Sequence, residues 1–372
     1  MRVLISGAGV AGLSAGINLG ATGHDVTIVE RANHLRVNGS PIDVRGEAVG
    51  IAAQMGVLDQ IRSRAIDMSD RVRFVGRDGK VLGAPSPAEI NDSEDDIEIP
   101  REDLTTILHS ALPSSTSLIF GDSIDHLDDV GDAVQVHLHS GTRERYDLVI
   151  GADGLHSATR RLTFGPEGQF LRHLGFYTAL AEMPRPAEPD AINPMYNYPG
   201  HLVGVARYHD KALAVFNFRS SWIDYDYRDL AVQKQILVDA FGGHDEWKIP
   251  ELLAAAQNDP ELYFDSVSLI EMPTWHRGNV VLVGDAAHCA APLSGRGTSL
   301  ALSGTWYLAR ALSEHPRDVQ LAFQRYEQDQ RPHVSRAQSI AATGGDLIVP
   351  ATEEAINARN QRLCAPRVRR EP

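Results

Sequence analysis

Three glycines near the start of the chain have the spacing of a turn that can hold a dinucleotide. Gly7, Gly9 and Gly12 follow a short apolar strand-like run and open a helix-like run. This arrangement permits a tight turn and lets the backbone at a helix N-terminus approach a pyrophosphate. Glu30 ends the next strand-like run, 18 residues after Gly12, where its carboxylate can accept hydrogen bonds from a ribose diol. Arg31 follows it, and the sequence leaves open whether this residue flanks the adenosine or is a solvated arginine.

A second segment, VVLVGDAAHCAAPLSGRG at residues 280–297, carries an acid and a Pro/Gly loop. Asp285 ends an apolar strand-like run, and Pro292, Gly295 and Gly297 belong to the loop that follows. The two glycines let a ligand come close to the backbone, and free N–H groups at a helix start favour a negative charge. From the residues alone, the two segments predict one bound dinucleotide and leave NAD and FAD as alternatives.

The order of strand-like and helix-like runs predicts an α/β fold. Residues 2–30 contain a βαβ unit, which is typical of a doubly wound, Rossmann-like domain. Apolar residues at helical spacing over 46–65 predict helix there, and residues 71–82 predict a hairpin around Asp78-Gly79. The acid-rich segment 89–98 is interpreted as a solvated loop, because it lacks the oxygen-ligand spacing of a cation site.

The middle of the chain predicts a second domain. Short strand-like runs between residues 170 and 270 favour a mostly antiparallel sheet, with one helix near 230–241. The chain then returns to the first domain at 280–283. The predicted fold is thus a Rossmann-like dinucleotide-binding domain, an α+β substrate domain on a mostly antiparallel sheet, and C-terminal helices. The predicted ranges are 1–75, 101–169 and 273–345 for the first domain, 76–100 and 170–272 for the substrate domain, and 346–372 for the C-terminal helix and tail.

Composition excludes several classes of function. The chain has 372 residues, more than one core usually holds, and its formal net charge of -14 argues against a nucleic-acid partner. Cys289 and Cys364 are its two cysteines, which excludes a disulfide framework, a CxxC redox pair and a cysteine-rich zinc site, and suits a reducing cytoplasm. No apolar stretch approaches the ~18 residues of a membrane span, so we expect none. Monomer and homodimer stay open.

Three separated motifs occur in an order that resembles one enzyme family. GAGVAG at residues 7–12 resembles an ADP-binding turn, GADGLHSATR at 151–160 a DG motif, and GDAAHCAAPLSGRG at 284–297 a GD motif. Together they resemble the class A flavoprotein monooxygenases, the family of para-hydroxybenzoate hydroxylase. In its overall sequence character the chain is most similar to the tetracycline-inactivating members. The resemblance covers nearly the whole chain, and it implies that the dinucleotide is FAD.

The same resemblance implies roles for single residues. Asp285 is implied to bind the ribityl chain, and the loop from Pro292 to Gly297 to place a helix N-terminus beside the flavin N1 and C2 carbonyl, where reduced flavin is negative. The remaining implied contacts are Arg101 with FAD, Asp43 and Arg45 near the flavin, and Asp153 with both FAD and the pyridine nucleotide. Two alternatives stay open: Arg45 as a surface arginine, and Arg160 as a helix-capping or ion-pair residue.

The activity implied by the resemblance is that of an oxidoreductase. NADPH or NADH would bind transiently and reduce FAD, O₂ would add at the flavin C4a atom, and the hydroperoxide would hydroxylate a small molecule. The flavin carries this chemistry, so no catalytic side chain is assigned, and His288 and Cys289 are interpreted as packing residues. The aromatic residues of the middle domain favour an aromatic, phenolic or polyketide-like substrate, with a tetracycline-type antibiotic as one candidate.

The same residues bear on three alternatives to a monooxygenase: a halogenase, a reductase or dehydrogenase, and a non-catalytic binding protein. Flavin-dependent halogenases share the domain plan, but residues 246–250 read EWKIP and Asp245 takes the place of the first tryptophan in their WxWxIP signature. An FAD-dependent reductase or dehydrogenase stays open. So does a non-catalytic, FAD-containing ligand-binding protein, which NAD(P)H-dependent bleaching of the flavin would separate from an enzyme.

Overall fold

The computed structural model describes residues 1–35, 39–85, 92–184 and 191–364 of the chain. The helices are α1 (Val10–Ala21), α2 (Glu47–Gln54), α3 (Leu58–Ser63), α4 (Arg101–Ser110), α5 (Ala158–Phe164), α6 (Leu230–Phe241), α7 (Ile249–Asn258), α8 (Asp285–His288), α9 (Gly297–Glu314), α10 (Val319–Ile348) and α11 (Glu353–Cys364). The strands are β1 (Arg2–Ser6), β2 (Asp25–Glu30), β3 (Ile42–Val44), β4 (Val72–Val75), β5 (Val81–Gly83), β6 (Ile97–Ile99), β7 (Ser117–Phe120), β8 (Ile124–Asp129), β9 (Val134–Leu138), β10 (Arg143–Tyr146), β11 (Leu148–Gly151), β12 (Leu171–Glu182), β13 (Asn193–Tyr198), β14 (His201–Tyr208), β15 (Lys211–Arg219), β16 (Tyr263–Ile270), β17 (His276–Arg277) and β18 (Val280–Leu282).

A six-stranded sheet forms the centre of the first domain, in the order β17-β18-β11-β1-β2-β7. β1 pairs in parallel with β2 and β11, and β18 extends the parallel set. The interior of β1 is completely buried, because α1 and α9 pack on one face of the sheet and the antiparallel sheet β8-β9-β10 covers the other. The doubly wound α/β prediction is confirmed.

The second domain is built on a seven-stranded sheet, in the order β16-β12-β15-β14-β13-β4-β5. Its described strands pair antiparallel except β4 and β13, which run parallel. Side chains alternate between two faces. One face buries aromatic rings such as Tyr177 and Phe216 beneath α6 and α7, while the other, with Phe176 and Leu202, packs against the Pro/Gly loop of the first domain. The prediction of a mostly antiparallel substrate sheet is confirmed.

Local structure corrects two sequence expectations. The helical stretch predicted over 46–65 is two helices, α2 and α3, because Gly56 adopts a φ of +73° and turns the chain between them. Within the acid-rich segment 89–98, residues 89–91 lie outside the described residues, and the solvated-loop interpretation is wrong for Asp96 and Glu98. Both of these carboxylates accept backbone N–H groups from other segments. The predicted hairpin over 71–82 is confirmed as β4 and β5.

The division into domains stays a prediction, although strand pairing adds detail to it. β4 precedes the predicted boundary after residue 75 and β5 follows it, yet both belong to the seven-stranded sheet. β6, which lies inside the predicted range 76–100, pairs with β3 of the first domain. Residues 72–83 thus belong to the sheet of the second domain, whereas β3 before them and β6 after them pair with each other in the first domain.

Helix α10 runs from the first domain onto the substrate sheet. A Cβ atom at Gly345 would lie 2.3 Å from the ring of Phe176, and one at Gly344 would lie 3.3 Å from the carbonyl oxygen of Leu293. The absence of side chains at these two positions thus lets the helix lie close to both the sheet and the Pro/Gly loop. No helix within the described ranges is long and apolar enough to cross a membrane.

Helix α11 closes the far edge of the substrate sheet. Arg359 lies over the ring of Phe74, 3.6 Å from its centroid, and donates to Asn197 Oδ1 at 2.8 Å. Burial lowers the pKa of Arg359 to about 10, so the guanidinium stays charged at neutral pH. A buried cation thereby attaches the last described helix to β4 and β13.

Candidate cofactor site

The glycine-rich turn lies between β1 and α1, where two of its glycines have no room for a side chain. Gly7 has a φ of +102°, and a Cβ atom there would lie 2.6 Å from the carbonyl oxygen of Ala152. A Cβ atom at Gly12 would lie 1.8 Å from the carbonyl oxygen of Gly7. Gly9 caps α1, and its Cβ position has no neighbour within 4 Å. The turn therefore presents an open backbone at a helix N-terminus, which suits a pyrophosphate.

Glu30 lies beside this turn at the end of β2. Its Oε2 accepts the N–H of Ala8 at 2.8 Å, and its Oε1 accepts the N–H of Ala32 at 2.8 Å. A carboxylate has about four lone-pair sites, so each oxygen can also accept a hydroxyl of a ribose. Arg31 is exposed on the loop after β2, and its contact with adenosine stays a prediction.

An ion pair and the Pro/Gly loop form a second part of the candidate site. Arg45 is 7% exposed, and its Nη2 lies 3.0 Å from Asp43 Oδ2. Gly295 follows the single turn that Pro292 begins, with a φ of +60°, and its Cβ position lies 3.6 Å from both the Arg45 guanidinium and the Asp43 carboxylate. The alternative of a surface role for Arg45 is wrong. α9 begins at Gly297, so this ion pair lies beside a helix N-terminus.

Asp285 begins α8 and lies close to the start of α9. A Cβ atom at Gly297 would lie 3.9 Å from Asp285 Oδ1. The Asp285 side chain keeps solvent-exposed surface although protein surrounds it, as expected for an acid that lines a cleft. Desolvation raises the pKa of Asp285, and the nearby charge of Arg101 opposes that rise. Arg101, the first residue of α4, is thus close enough to act with Asp285 on one ligand.

Asp153 lies directly beneath the glycine-rich turn, where it organises α5. It accepts hydrogen bonds from the backbone N–H and the hydroxyl of Thr159, both at 2.9 Å, and from the hydroxyl of Ser157. A Cβ atom at Gly7 would lie 3.0 Å from Asp153 Cα. The contacts of Asp153 therefore shape the floor of the turn, and its link to the pyridine nucleotide stays a prediction.

Arg160 connects two of the sequence motifs. Its side chain is completely buried, forms an ion pair with Glu167 at 2.8 Å and donates to the carbonyl oxygen of Ala286 at 2.9 Å. The ion-pair interpretation is confirmed, while the bond to Ala286 was not predicted, because nothing in the spacing of the sequence relates residues 126 positions apart. Through Arg160, the DG motif holds α8 and so the position of Asp285.

His288 and Cys289 are buried beside this site, and their surroundings favour packing over catalysis. Burial lowers the pKa of His288 to about 3, so the ring is neutral. Burial and the neighbouring Asp285 raise the pKa of the Cys289 thiol well above its usual range, and the thiol donates to the carbonyl oxygen of Ser268. Neither group is a base or nucleophile at neutral pH.

Two titratable residues that sequence reasoning missed lie close to the motifs. The His156 ring lies between Glu167, 2.9 Å from Nδ1, and Asp265, 3.3 Å from Nε2, and it stacks on Tyr227. Burial opposes its charge, but the two carboxylates outweigh burial and raise the pKa of His156 to about 9. Glu98 of β6 is the other missed residue. The DG motif includes His156, but the sequence does not show which carboxylates contact the ring, because Glu167 lies 11 residues away and Asp265 lies 109 residues away.

These residues fit an FAD molecule laid along the cleft. The glycine-rich turn and Glu30 can hold the ADP part, Arg101 and Asp285 the middle, and the Asp43–Arg45 pair with the Pro/Gly loop the ring. FAD would supply the electron transfer and oxygen chemistry, and the protein residues bind and orient it. The matching of single residues to parts of FAD stays a prediction.

Comparison with known proteins shows the family. The FAD binding domain family matches residues 1–192 and 269–341. An uncharacterized protein of Mycobacterium tuberculosis, Rv1260, is 40% identical over 363 residues, which cover 94% of this chain and 96% of that protein. A flavin-dependent monooxygenase from an unknown prokaryotic organism is 34% identical over 365 residues, which cover 96% of this chain and 94% of the relative.

A solved structure is similar over the same length. The crystal structure of tetracycline destructase Tet(55) has a TM-score of 0.84 and 33% identity, covering 97% of this chain and 94% of that one. The glycine-rich turn, the GD loop and the substrate sheet thus occur together in a chain that matches the FAD binding domain family and is 34% identical to a flavin-dependent monooxygenase. The chain belongs to the class A FAD-dependent monooxygenases.

Proposed function

We propose that this protein is an NAD(P)H- and O₂-dependent monooxygenase that hydroxylates an aromatic, phenolic or polyketide-like small molecule. The observation that carries the proposal is the packing of an apolar sheet face onto the Pro/Gly loop. Phe176 and Leu202 of the substrate sheet lie in one buried cluster with Ala291, and Val215 and Leu293 border it. A substrate between this face and the flavin ring would meet mostly apolar walls, which favours an aromatic compound.

A cavity of about 650 Å³ borders the substrate sheet and α7. Leu180, Tyr208 and Leu213 line it together with charged side chains, among them Glu182, Lys211 and Glu251. Gly39, which packs near Arg101, lines it from the first domain. This volume is in the usual range for a drug-sized ligand. Since the similar chain Tet(55) is a tetracycline destructase, a tetracycline-type antibiotic is the first candidate substrate to test.

The proposed reaction consumes one reductant and one O₂ for each hydroxyl group formed. NAD(P)H and one proton from solvent would together supply two electrons and two hydrogen atoms, one oxygen atom of O₂ would enter the substrate, and the other would leave as water; bound FAD would supply this chemistry. The residues of this chain hold the ring, exclude water and orient the substrate. One dinucleotide fingerprint is present in the sequence, so the nicotinamide cofactor is proposed to bind transiently, in a cytoplasmic monomer or homodimer.

A stopped-flow experiment tests the proposal. The FAD-loaded protein is reduced anaerobically with NADPH, in parallel with NADH, and then mixed with O₂, with and without a tetracycline or a simple phenol. We expect bleaching of the flavin, a transient C4a-hydroperoxide absorbance, and a product heavier by one oxygen atom in the mass spectrum.

Other results would point to other functions. Reduction without the transient absorbance and without an oxygenated product would favour a reductase. A protein that retains FAD but is bleached by neither nucleotide would favour a non-catalytic binding protein. A protein that cannot be loaded with FAD would contradict the proposal as a whole.

A further inference from the structure

Two carboxyl groups lie side by side at the proposed flavin end of the cofactor site. Asp43 of β3 and Glu98 of β6 are direct partners across these antiparallel strands. Residues directly opposite in such a pair share one face, with Cβ atoms about 5 Å apart. Their strand neighbours fill the core of the first domain on the other face. The two acids are therefore neighbours on the face that is turned away from that core.

The charges around Asp43 come from several elements. Arg45 of β3 pairs with it at 3.0 Å, Arg296 of the Pro/Gly loop lies near it, and Asp96 adds a like charge. Arg296 is itself paired with Asp92. Desolvation raises the pKa of Asp43, the two arginines oppose this, and Asp96 adds to it. Asp43 is thus a largely buried acid, 21% exposed, whose nearest cation is also enclosed.

Glu98 is held in place by backbone groups. Its Oε2 accepts the N–H of Met68 and the N–H of Ser69, both at 2.9 Å. These bonds favour the carboxylate, but burial has the larger effect, Asp43 adds to it, and together they raise the pKa of Glu98 to about 7. The Ser69 side chain also hydrogen-bonds to Glu98, and since Oε2 accepts both amides, a proton taken up by Glu98 is expected on Oε1.

We propose that Asp43 and Glu98 act as one coupled carboxyl pair, which takes up a proton from solvent when the bound FAD is reduced. The inference rests on the proposed function, since it requires the flavin ring to lie beside Asp43 and Gly295. A hydride from the nicotinamide cofactor brings two electrons and one proton and leaves the ring with one negative charge. One further proton on the pair keeps the net charge of the cleft unchanged, and such coupled acids titrate as a unit. Glu98 acts through Asp43 and is a positioning residue.

The test is an anaerobic potentiometric titration of the FAD-loaded protein across about two pH units upward from about pH 7, because Glu98 can take up a proton on reduction only where it is ionised beforehand. Three proteins are compared: wild type, Glu98→Gln and the control Glu94→Gln. Glutamine at position 98 keeps an acceptor for the two amides but cannot take up a proton. Glu94 is exposed in the same acidic segment, so its variant makes the same chemical change away from the pair.

We expect the midpoint potential of wild type and Glu94→Gln to fall by about 60 mV per pH unit, and that of Glu98→Gln by about 30 mV, because each proton contributes 29.6 mV per tenfold change for a two-electron couple. The absorbance of the reduced flavin is recorded alongside, to show whether the ring is anionic. A wild-type slope of about 30 mV, an unchanged slope in Glu98→Gln or a neutral reduced ring would each overturn the inference.

Failure of the proposed function would look different. Wild-type protein that does not retain FAD contradicts the proposed function, whereas retained FAD with an unchanged slope contradicts the proton pair alone. If Glu98→Gln itself loses FAD, Asp43→Asn replaces it in the comparison, with the same expected slope. A wild-type slope of about 30 mV would overturn the inference whatever the result for either variant.

Discussion

The two ends of the candidate cofactor site are built in different ways. The end with Gly7, Gly12 and Glu30 comes from residues 5–30 and consists mainly of backbone, resting on Ala152. The opposite end brings together side chains from β3, β6, α4 and residues 285–297. Binding at the first end thus requires free space beside the backbone, which one added methyl group can fill. Binding at the second end requires charged side chains, and packing between segments that are far apart in sequence sets their positions.

The largest effect should come from blocking the local end. We expect Gly12→Ala to abolish FAD retention and to lower the free energy of unfolding by about 3 kcal/mol or more, because the new Cβ would overlap the carbonyl oxygen of Gly7. Urea unfolding and the absorbance spectrum of the purified protein measure both. Gly50→Ala is the matched control, since its position in α2 is open, and there we expect a gain of up to about 1 kcal/mol. A Gly12→Ala protein that is as stable as wild type and retains FAD would contradict the conclusion that this position has no room for a side chain.

The next effect should come from the packing that supports the opposite end. Arg160→Met removes the ion pair with Glu167, which keeps His156 as a partner, and removes the bonds to the carbonyl oxygens of Ala286 and Leu155. We expect a loss of about 2 to 3 kcal/mol of unfolding free energy, below the full cost of a broken buried pair because Glu167 is partly exposed. Arg161→Met, on the exposed side of α5, should change it by less than about 0.5 kcal/mol. Equal stabilities of the two variants in urea would show that Arg160 does not hold α8.

His156 gives a smaller effect that depends on pH. Its pKa, raised to about 9 by Asp265 and Glu167 against the opposing effect of burial, lies above the unfolded value of about 6.5. The contribution to stability is therefore fully present below about pH 6.5 and is lost as the pH rises through 9. We expect about 2 kcal/mol more stability at pH 6.5 than at pH 9 from this residue, and His156→Gln should remove that difference.

Unfolding in urea at both pH values measures this contribution. The exposed His109→Gln variant, at the end of α4, serves as control and should keep the wild-type difference. The same pH dependence in wild type and His156→Gln would mean that the ring is not charged between its two carboxylates.

The smallest effect concerns the open side of the turn. Gly9 has an extended backbone that alanine can adopt, and its Cβ position is empty. We expect Gly9→Ala to change the unfolding free energy of the FAD-free protein by less than about 0.5 kcal/mol. Its affinity for FAD should fall about tenfold, or about 1.4 kcal/mol, since the new methyl group would occupy the proposed path of the pyrophosphate. Fluorescence titration with FAD measures this, and an unchanged affinity would place the pyrophosphate elsewhere.

The same contrast explains what could be predicted from the sequence. Gly7, Gly12 and Glu30 lie within one βαβ unit, so their spacing alone indicates how they meet. The pairing of Asp43 with Glu98 depends on β3 and β6, two strands of three residues each that are too short to show a period. The sequence does not indicate the charged surroundings of His156 for a similar reason, because Asp265 lies 109 residues away in a strand of the other domain. The family resemblance predicts which residues lie near the flavin, but it does not predict the charged residues, such as Glu98 and Arg296, that lie around Asp43.

The strand order has a consequence for the sequence of events during synthesis. β18 enters the first sheet beside β11 and leads directly to Asp285, so β11 gains its second neighbour only when residues 280–282 have left the ribosome. β4 likewise waits for β13 before it has a parallel neighbour. A nascent chain can therefore form the glycine-rich turn early, but it gains the flavin end of its site only after more than three-quarters of its length has been made.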